Sequence, residues 1–169
     1  MLVLICLICG ALSRIFSPAS NFTPVIALTF FGGVYLKKSQ ALLLPLAIFA
    51  LTDVVIGFHK YMLFTWGSIL LVAAIGMSIR EEKKVTSMIA GGLVSVIAFF
   101  FISNFSYWLF SGIYTQDISG LWTCYIAALP FLRNTFISTA LYGIILFWSY
   151  EFVSAKVRDT RLAKVLLTT

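Results

Sequence analysis

The sequence predicts an all-α membrane protein with six transmembrane helices and both termini in the cytoplasm. Three observations carry this prediction. Of the 169 residues, 61% are apolar and 11% charged, with a mean hydropathy of +1.03, far from the composition of a soluble domain. The apolar runs approach the roughly 20 residues that a helix needs to cross ~30 Å of hydrocarbon. Finally, the basic residues are unevenly divided. Lys37, Lys38, Arg80, Lys83, Lys84, Lys156, Arg158, Arg161 and Lys164 fall on one side of the predicted bilayer, and Arg14, Lys60 and Arg133 on the other. Lys and Arg collect on the cytoplasmic side, so the first group is placed there.

The elements follow from run lengths and the punctuation between them. A first apolar segment covers about 1–16 and contains Arg14 near its end. It has no basic region at its start, and Ser17-Pro18-Ala19-Ser20 is a poor cleavage context, so a retained helix is expected rather than a signal peptide. A second segment covers 22–36 and ends at Lys37-Lys38. Asn21 or Thr23 is placed to cap it, with Pro24 in its first turn. A third covers 40–58, ending at Gly57-Phe58-His59-Lys60, and a fourth covers 61–79, ending in Arg80-Glu81-Glu82-Lys83-Lys84. The fifth covers 85–110 and is followed by a loop, 111–119, that carries Asp117. The apolar stretch 120–129 is too short to span by itself. It reads as an interfacial or re-entrant piece, or as the outer part of a helix broken at Pro130, with the last span running to about 152. This gives a transmembrane domain over 1–152 and a basic cytoplasmic tail over 153–169.

Several function classes are disfavoured by what the chain carries. The net charge of +6 is scattered over short loops and the tail, without a basic stripe interleaved with exposed aromatics, so nucleic acid is not an expected partner. Three cysteines make no disulfide framework, and Cys6 and Cys9 read as small packing residues. No phosphate-binding glycine loop, metal-ligand pairing or Ser-His-Asp order is present. The reading is therefore a non-enzymatic protein with no cofactor.

Candidate functional residues stand out because polar groups at membrane depth are costly. Arg14, Asn21, Asp53, His59, Asn104, Cys124, Arg133 and Asn134 all fall near the outer ends of their segments. Asp53 needs a cation, a ligand or water. Arg133, in the first turn after Pro130, needs an anionic counterpart, either Asp53 or a ligand carboxylate or phosphate. Asn134 adds an amide beside it. Asn104 and Trp108, four apart, share a helix face, and Trp108 and Tyr125 are read as stacking surfaces for a flat ligand. The same aromatics also suit an interfacial belt. His59 reads as a pocket group or a solvated loop residue. Cys124 reads as a packing residue, a soft ligand or a nucleophile. The second segment, short and carrying Gly32-Gly33, adds a weak pointer to a transporter site.

The motifs Asn21-Phe22-Thr23-Pro24, Phe30-Phe31-Gly32-Gly33, Leu44-Pro45-Leu46 running to Thr52-Asp53, Ser103-Asn104-Phe105 with Trp108, and Gly120-Leu121 through Cys124-Tyr125 to Pro130-Phe131 with Arg133-Asn134 resemble a family of small bacterial integral membrane proteins labelled as transport proteins. That family is similar to the substrate-binding S components of energy-coupling-factor vitamin transporters. The resemblance covers about 14–150. It implies an S-component-like bundle in the bacterial inner membrane, an outward pocket for a small vitamin-like, aromatic or anionic nutrient, and an energising partner module of ATPases and a coupling membrane subunit. S components dock through an Ala-x-x-x-Ala pattern on the first helix, where this chain has Cys6-x-x-x-Gly10. Solitary cobalamin-handling relatives of that structural class use a cysteine on the cobalt, which gives Cys124 a corrinoid alternative. A non-transporting structural subunit is the third reading. The expected site residues are Asn21, Asp53, Asn104, Trp108, Cys124, Tyr125, Arg133 and Asn134.

Overall fold

The structure is a computed structural model that describes residues 8, 21–57, 60–82 and 84–160. The first predicted segment (apart from Ile8) with Arg14, the 17–20 turn, His59 and the tail residues Arg161 and Lys164 lie outside the described residues.

Five helices make up the described chain, and no strand occurs among the described residues: α1 (Val25–Tyr35), α2 (Lys38–Ile56), α3 (Met62–Ser78), α4 (Val85–Ser111) and α5 (Ile118–Val157). Three of them, α2, α4 and α5, are long and apolar enough to cross a membrane, while α1 and α3 are shorter apolar helices. Six spans are thus not reached among the described residues. At 11 residues, α1 rises only about 16 Å.

The shortness of α1 has a structural counterpart. Every residue from Val25 to Tyr35 is buried, and the helix touches α2, α3, α4 and α5. A helix enclosed by others need not meet lipid at both boundaries. Its neighbours carry the lipid-like surface: Leu51, Val55, Ile89, Phe101, Ile144 and Trp148 are exposed, whereas Ser68, Ser95, Ser106 and Ser138 are fully buried. Large apolar groups outside and small hydroxyls inside are the arrangement of a protein immersed in hydrocarbon, where helix association depends on close packing.

That packing is tightest where α1 crosses α3. A Cβ on Gly33 would lie 2.4 Å from the Ala73 carbonyl oxygen, and one on Gly76 would lie 2.4 Å from the Phe30 carbonyl oxygen. Only glycine permits this backbone-on-backbone approach. On the α4 side, the Phe30 ring lies over Gly91, whose own Cβ would meet it at 2.8 Å. At the far end of α1, Arg80 Nη2 donates to the Gly33 carbonyl at 2.9 Å, a cation beside the carbonyl end of a helix. Tyr35 donates its phenol proton to Glu151 there, and its ring packs on Tyr150 at 4.1 Å.

The last helix departs from the sequence reading. The stretch 120–129 is not a separate piece: α5 is one 40-residue helix with Pro130 inside it. It also runs to Val157, past the expected end near 152. Pro130 removes one backbone donor and, with Leu129, lies on the exposed side of this continuous helix. The start of α5 is fixed instead by Asp117, whose carboxylate accepts from the Gly120 N–H at 2.6 Å and from Thr115 Oγ1 at 2.8 Å. Gly112, at φ +71°, closes α4 in the left-handed conformation.

Candidate ligand cavity

Among the described residues, no helix fills the space beyond the first turn of α1. The parallel stripe on α5 makes this visible. Its C-terminal part, Phe147 and Tyr150, packs on Phe31 of α1 at 5.1 and 5.6 Å between ring centroids. Its N-terminal part, Cys124, Ala127, Ala128, Phe131 and Thr135, faces a cavity of about 540 Å³. This volume is in the range of small-molecule sites.

Each neighbour contributes one face. From α4 come Phe99, Ser103, Asn104 and Tyr107, a stripe at helical spacing. From α3 and the turn before it come Tyr61 and Thr65, from α2 comes Phe49, and from the 112–117 loop comes Tyr114. The base is the start of α1, with Asn21, Thr23, Val25 and Ile26. Asn21 is exposed and Tyr61 and Tyr114 half-buried, so the cavity reaches the molecular surface. Asn21 adopts φ +60°, a left-handed backbone that asparagine tolerates. Neither Asn21 nor Thr23 caps α1 as the sequence suggested. Pro24 holds the cap position, and no side chain bonds the first turn.

The eight residues expected at the site separate into two groups. Asn21, Asn104 and Cys124 line the cavity. Asn104 and Cys124 also meet each other, the thiol donating to the Asn104 carbonyl at 3.6 Å. Asp53, Trp108, Tyr125, Arg133 and Asn134 are not among its walls. Asp53, 1% exposed, accepts from Trp66 Nε1 at 2.9 Å. Arg133 is exposed on α5, and among the described residues no ion pair joins it to Asp53. Asn134 is half-buried on the same helix.

The two expected stacking residues have other tasks. Trp108 donates from Nε1 to the Thr115 carbonyl at 2.8 Å, and Gln116 donates to the Trp108 carbonyl at 2.9 Å, which ties the 112–117 loop to α4. Tyr125 donates to the Phe101 carbonyl at 3.0 Å and packs on Phe100 and Phe101, joining α5 to α4. The aromatics that do face the cavity are Phe49, Tyr61, Phe99, Tyr107, Tyr114 and Phe131. A signal for some of them existed in the sequence. Tyr107 stands three residues after Asn104, and Phe131 stands seven after Cys124, each near the face of a polar residue already singled out.

Fold and site together define an all-helical protein, with helices suited to a membrane, that encloses an aromatic and neutral-polar cavity beside a buried half-length helix. The chain belongs to the family of unknown function DUF6580, whose family model matches residues 1–162. No curated protein and no solved structure matches it.

Proposed function

We propose that this protein is a substrate-binding or uptake protein of the bacterial inner membrane and that the cavity between α1, α4 and α5 receives a small nutrient from the outer face. The observation that carries the reading is the cavity itself. Neutral polar groups and aromatic rings converge on about 540 Å³ at one end of the bundle, the composition of a small-molecule site. The basic residues Lys37, Lys38, Arg80 and Lys84 fall at the opposite ends of the helices from the cavity, which under the positive-inside rule supports an outward-facing cavity.

In this reading the chain crosses the membrane six times with both termini cytoplasmic, is not an enzyme, and resembles S components of energy-coupling-factor transporters. An ATPase and coupling module is its proposed energising partner. Cys124 supports a second reading, in which its thiol on the cavity wall ligates a corrinoid. Unchanged binding and uptake in Cys124→Ser would end that alternative.

The test is comparative depletion of a rich defined medium by cells expressing wild type or Ala128→Trp, a substitution that fills the cavity from α5. A compound removed only by wild-type cells is the substrate. Indistinguishable depletion by two equally expressed, folded proteins would overturn the uptake reading.

A further inference from the structure

The continuity of α5 changes the setting of Arg133. In a helix that began after Pro130 this arginine would sit in a first turn, at a membrane boundary. In the 40-residue helix it is the sixteenth residue, counting from Ile118. It is exposed, and the surface around it is apolar. Ile126, Leu129, Ile137, Leu141 and Ile144 are exposed, and their spacing puts them with Arg133 on one face of the helix. The cavity-lining residues Cys124, Phe131 and Thr135 occupy the opposite face.

The depth of Arg133 follows from two tryptophans on its face. Trp122 and Trp148 are 63% and 67% exposed and bracket the apolar run, as aromatic residues do at the two membrane interfaces. The stretch between them rises ~39 Å along the axis, close to the ~40–45 Å across a bilayer with its headgroup regions. Arg133 lies ~16 Å from the first and ~22 Å from the second, near the middle of the hydrocarbon. Arginines that snorkel to an interface stand near helix ends. An arginine at the midplane needs an anionic group brought to it.

The chain does not supply that group. It holds six acidic residues. Asp53 is buried between α2 and α3, bonded to Trp66. Asp117 caps the start of α5, ~24 Å from Arg133 along the axis, and Glu151, which accepts from Tyr35, is ~27 Å away in the other direction. Glu81, Glu82 and Asp159 lie outside the helices, next to Arg80 and Arg158 in the chain. Residues 1–20 contain neither Asp nor Glu. A second copy of the chain brings only the same six in the same places.

We propose that the outward face of α5 around Arg133 docks a transmembrane helix of a different protein, one that carries an aspartate or glutamate at the depth of Arg133. A phospholipid phosphate stays at the headgroup level, ~16 Å away, whereas a carboxylate on a partner helix reaches the midplane. The planar guanidinium can engage both oxygens of that carboxylate. Because α5 turns its other side to the cavity, this interface does not depend on ligand binding there.

The test places a photo-crosslinking amino acid at Leu129 and, separately, at Ile137, one turn on either side of Arg133, in the full chain within the cells that produce it. Crosslinked peptides are sequenced by mass spectrometry. The expected result is a crosslink from both positions to one apolar, membrane-length segment of another protein that contains Asp or Glu. At matched membrane yield, the crosslink should fall roughly tenfold in Arg133→Leu and be largely kept in Arg133→Lys. It should return in Arg133→Glu when the partner's acidic residue is changed to Lys. Crosslinks confined to phospholipid, to residues 1–20 or to a second copy would overturn the proposal. So would a partner segment without an acidic residue, or a yield unchanged in Arg133→Leu.

Discussion

Trp66 Nε1 donates a hydrogen bond to the Asp53 carboxyl group across 2.9 Å, joining α3 to α2 inside the bundle. Trp66 also packs on the cluster of Val25, Phe49 and Ile69, two of whose members face the cavity. The pair thus braces the cavity from behind. Removing the donor leaves a buried acceptor less satisfied, at a cost of about 1–3 kcal/mol. Trp66→Phe is expected to lower the unfolding midpoint in detergent by an amount within that range. An unchanged midpoint would show that the bond contributes nothing.

The crossing of α1 and α3 makes a sharper demand. A methyl group at Gly33 or Gly76 must displace backbone rather than a movable side chain. Overpacking of this kind costs about 1–3 kcal/mol. Gly33→Ala and Gly76→Ala are each expected to destabilise, whereas Gly67→Ala and Gly143→Ala, whose Cβ positions are open, are not. Midpoints from thermal unfolding of the four variants check the contrast.

Arg133 and Asn104 were indistinguishable as candidates from the sequence, and the structure separates them. Arg133→Ala alters an exposed side chain and is expected to stay within about 0.5 kcal/mol of wild type in stability. Its retention of co-purifying ligand should be unchanged. Asn104→Leu removes a cavity amide and is expected to reduce retention roughly tenfold, the worth of one well-made hydrogen bond of about 1.4 kcal/mol. Equal effects of the two variants would place the site elsewhere.

The start of α5 carries a pH dependence of predictable sign. The Gly120 N–H, and then the Thr115 hydroxyl, hold the Asp117 carboxyl group below its ordinary value of 3.8. A depressed carboxyl group stabilises the fold above its unfolded value, and this contribution is lost as pH falls through the lower folded value. Melting midpoints should therefore fall in acid more steeply for wild type than for Asp117→Asn, which lacks the titration. Above pH 5 the difference between the two should not vary with pH.

The helix ends were legible because charge marks them: Lys37-Lys38 and Arg80 to Lys84 end runs that the structure closes within a few residues. Pro130 suggests a break because it lacks a donor and crowds the carbonyl four residues back, yet the helix continues through it. Asn104 and Cys124 were readable as polar interruptions of apolar text. The four-residue spacing from Asn104 points to Trp108, whereas the cavity takes Tyr107, one residue and about 100° away around the helix. Asp53 stands out by its charge, and the Trp66 indole that donates to it is a partner that reading by charge does not reveal. The walls of the cavity come from separate stretches of the chain, around 21–26, 49, 61–65, 99–107, 114 and 124–135, which no single motif marks.

The central claim, that this cavity holds a small molecule, is tested most directly by mass spectrometry of compounds extracted from the purified protein. Wild type, Arg133→Ala and Ala128→Trp are compared at matched folded yield. A compound held by wild type and Arg133→Ala but absent from Ala128→Trp is the predicted result. A compound retained equally by all three, or none held by any of them, would contradict the account.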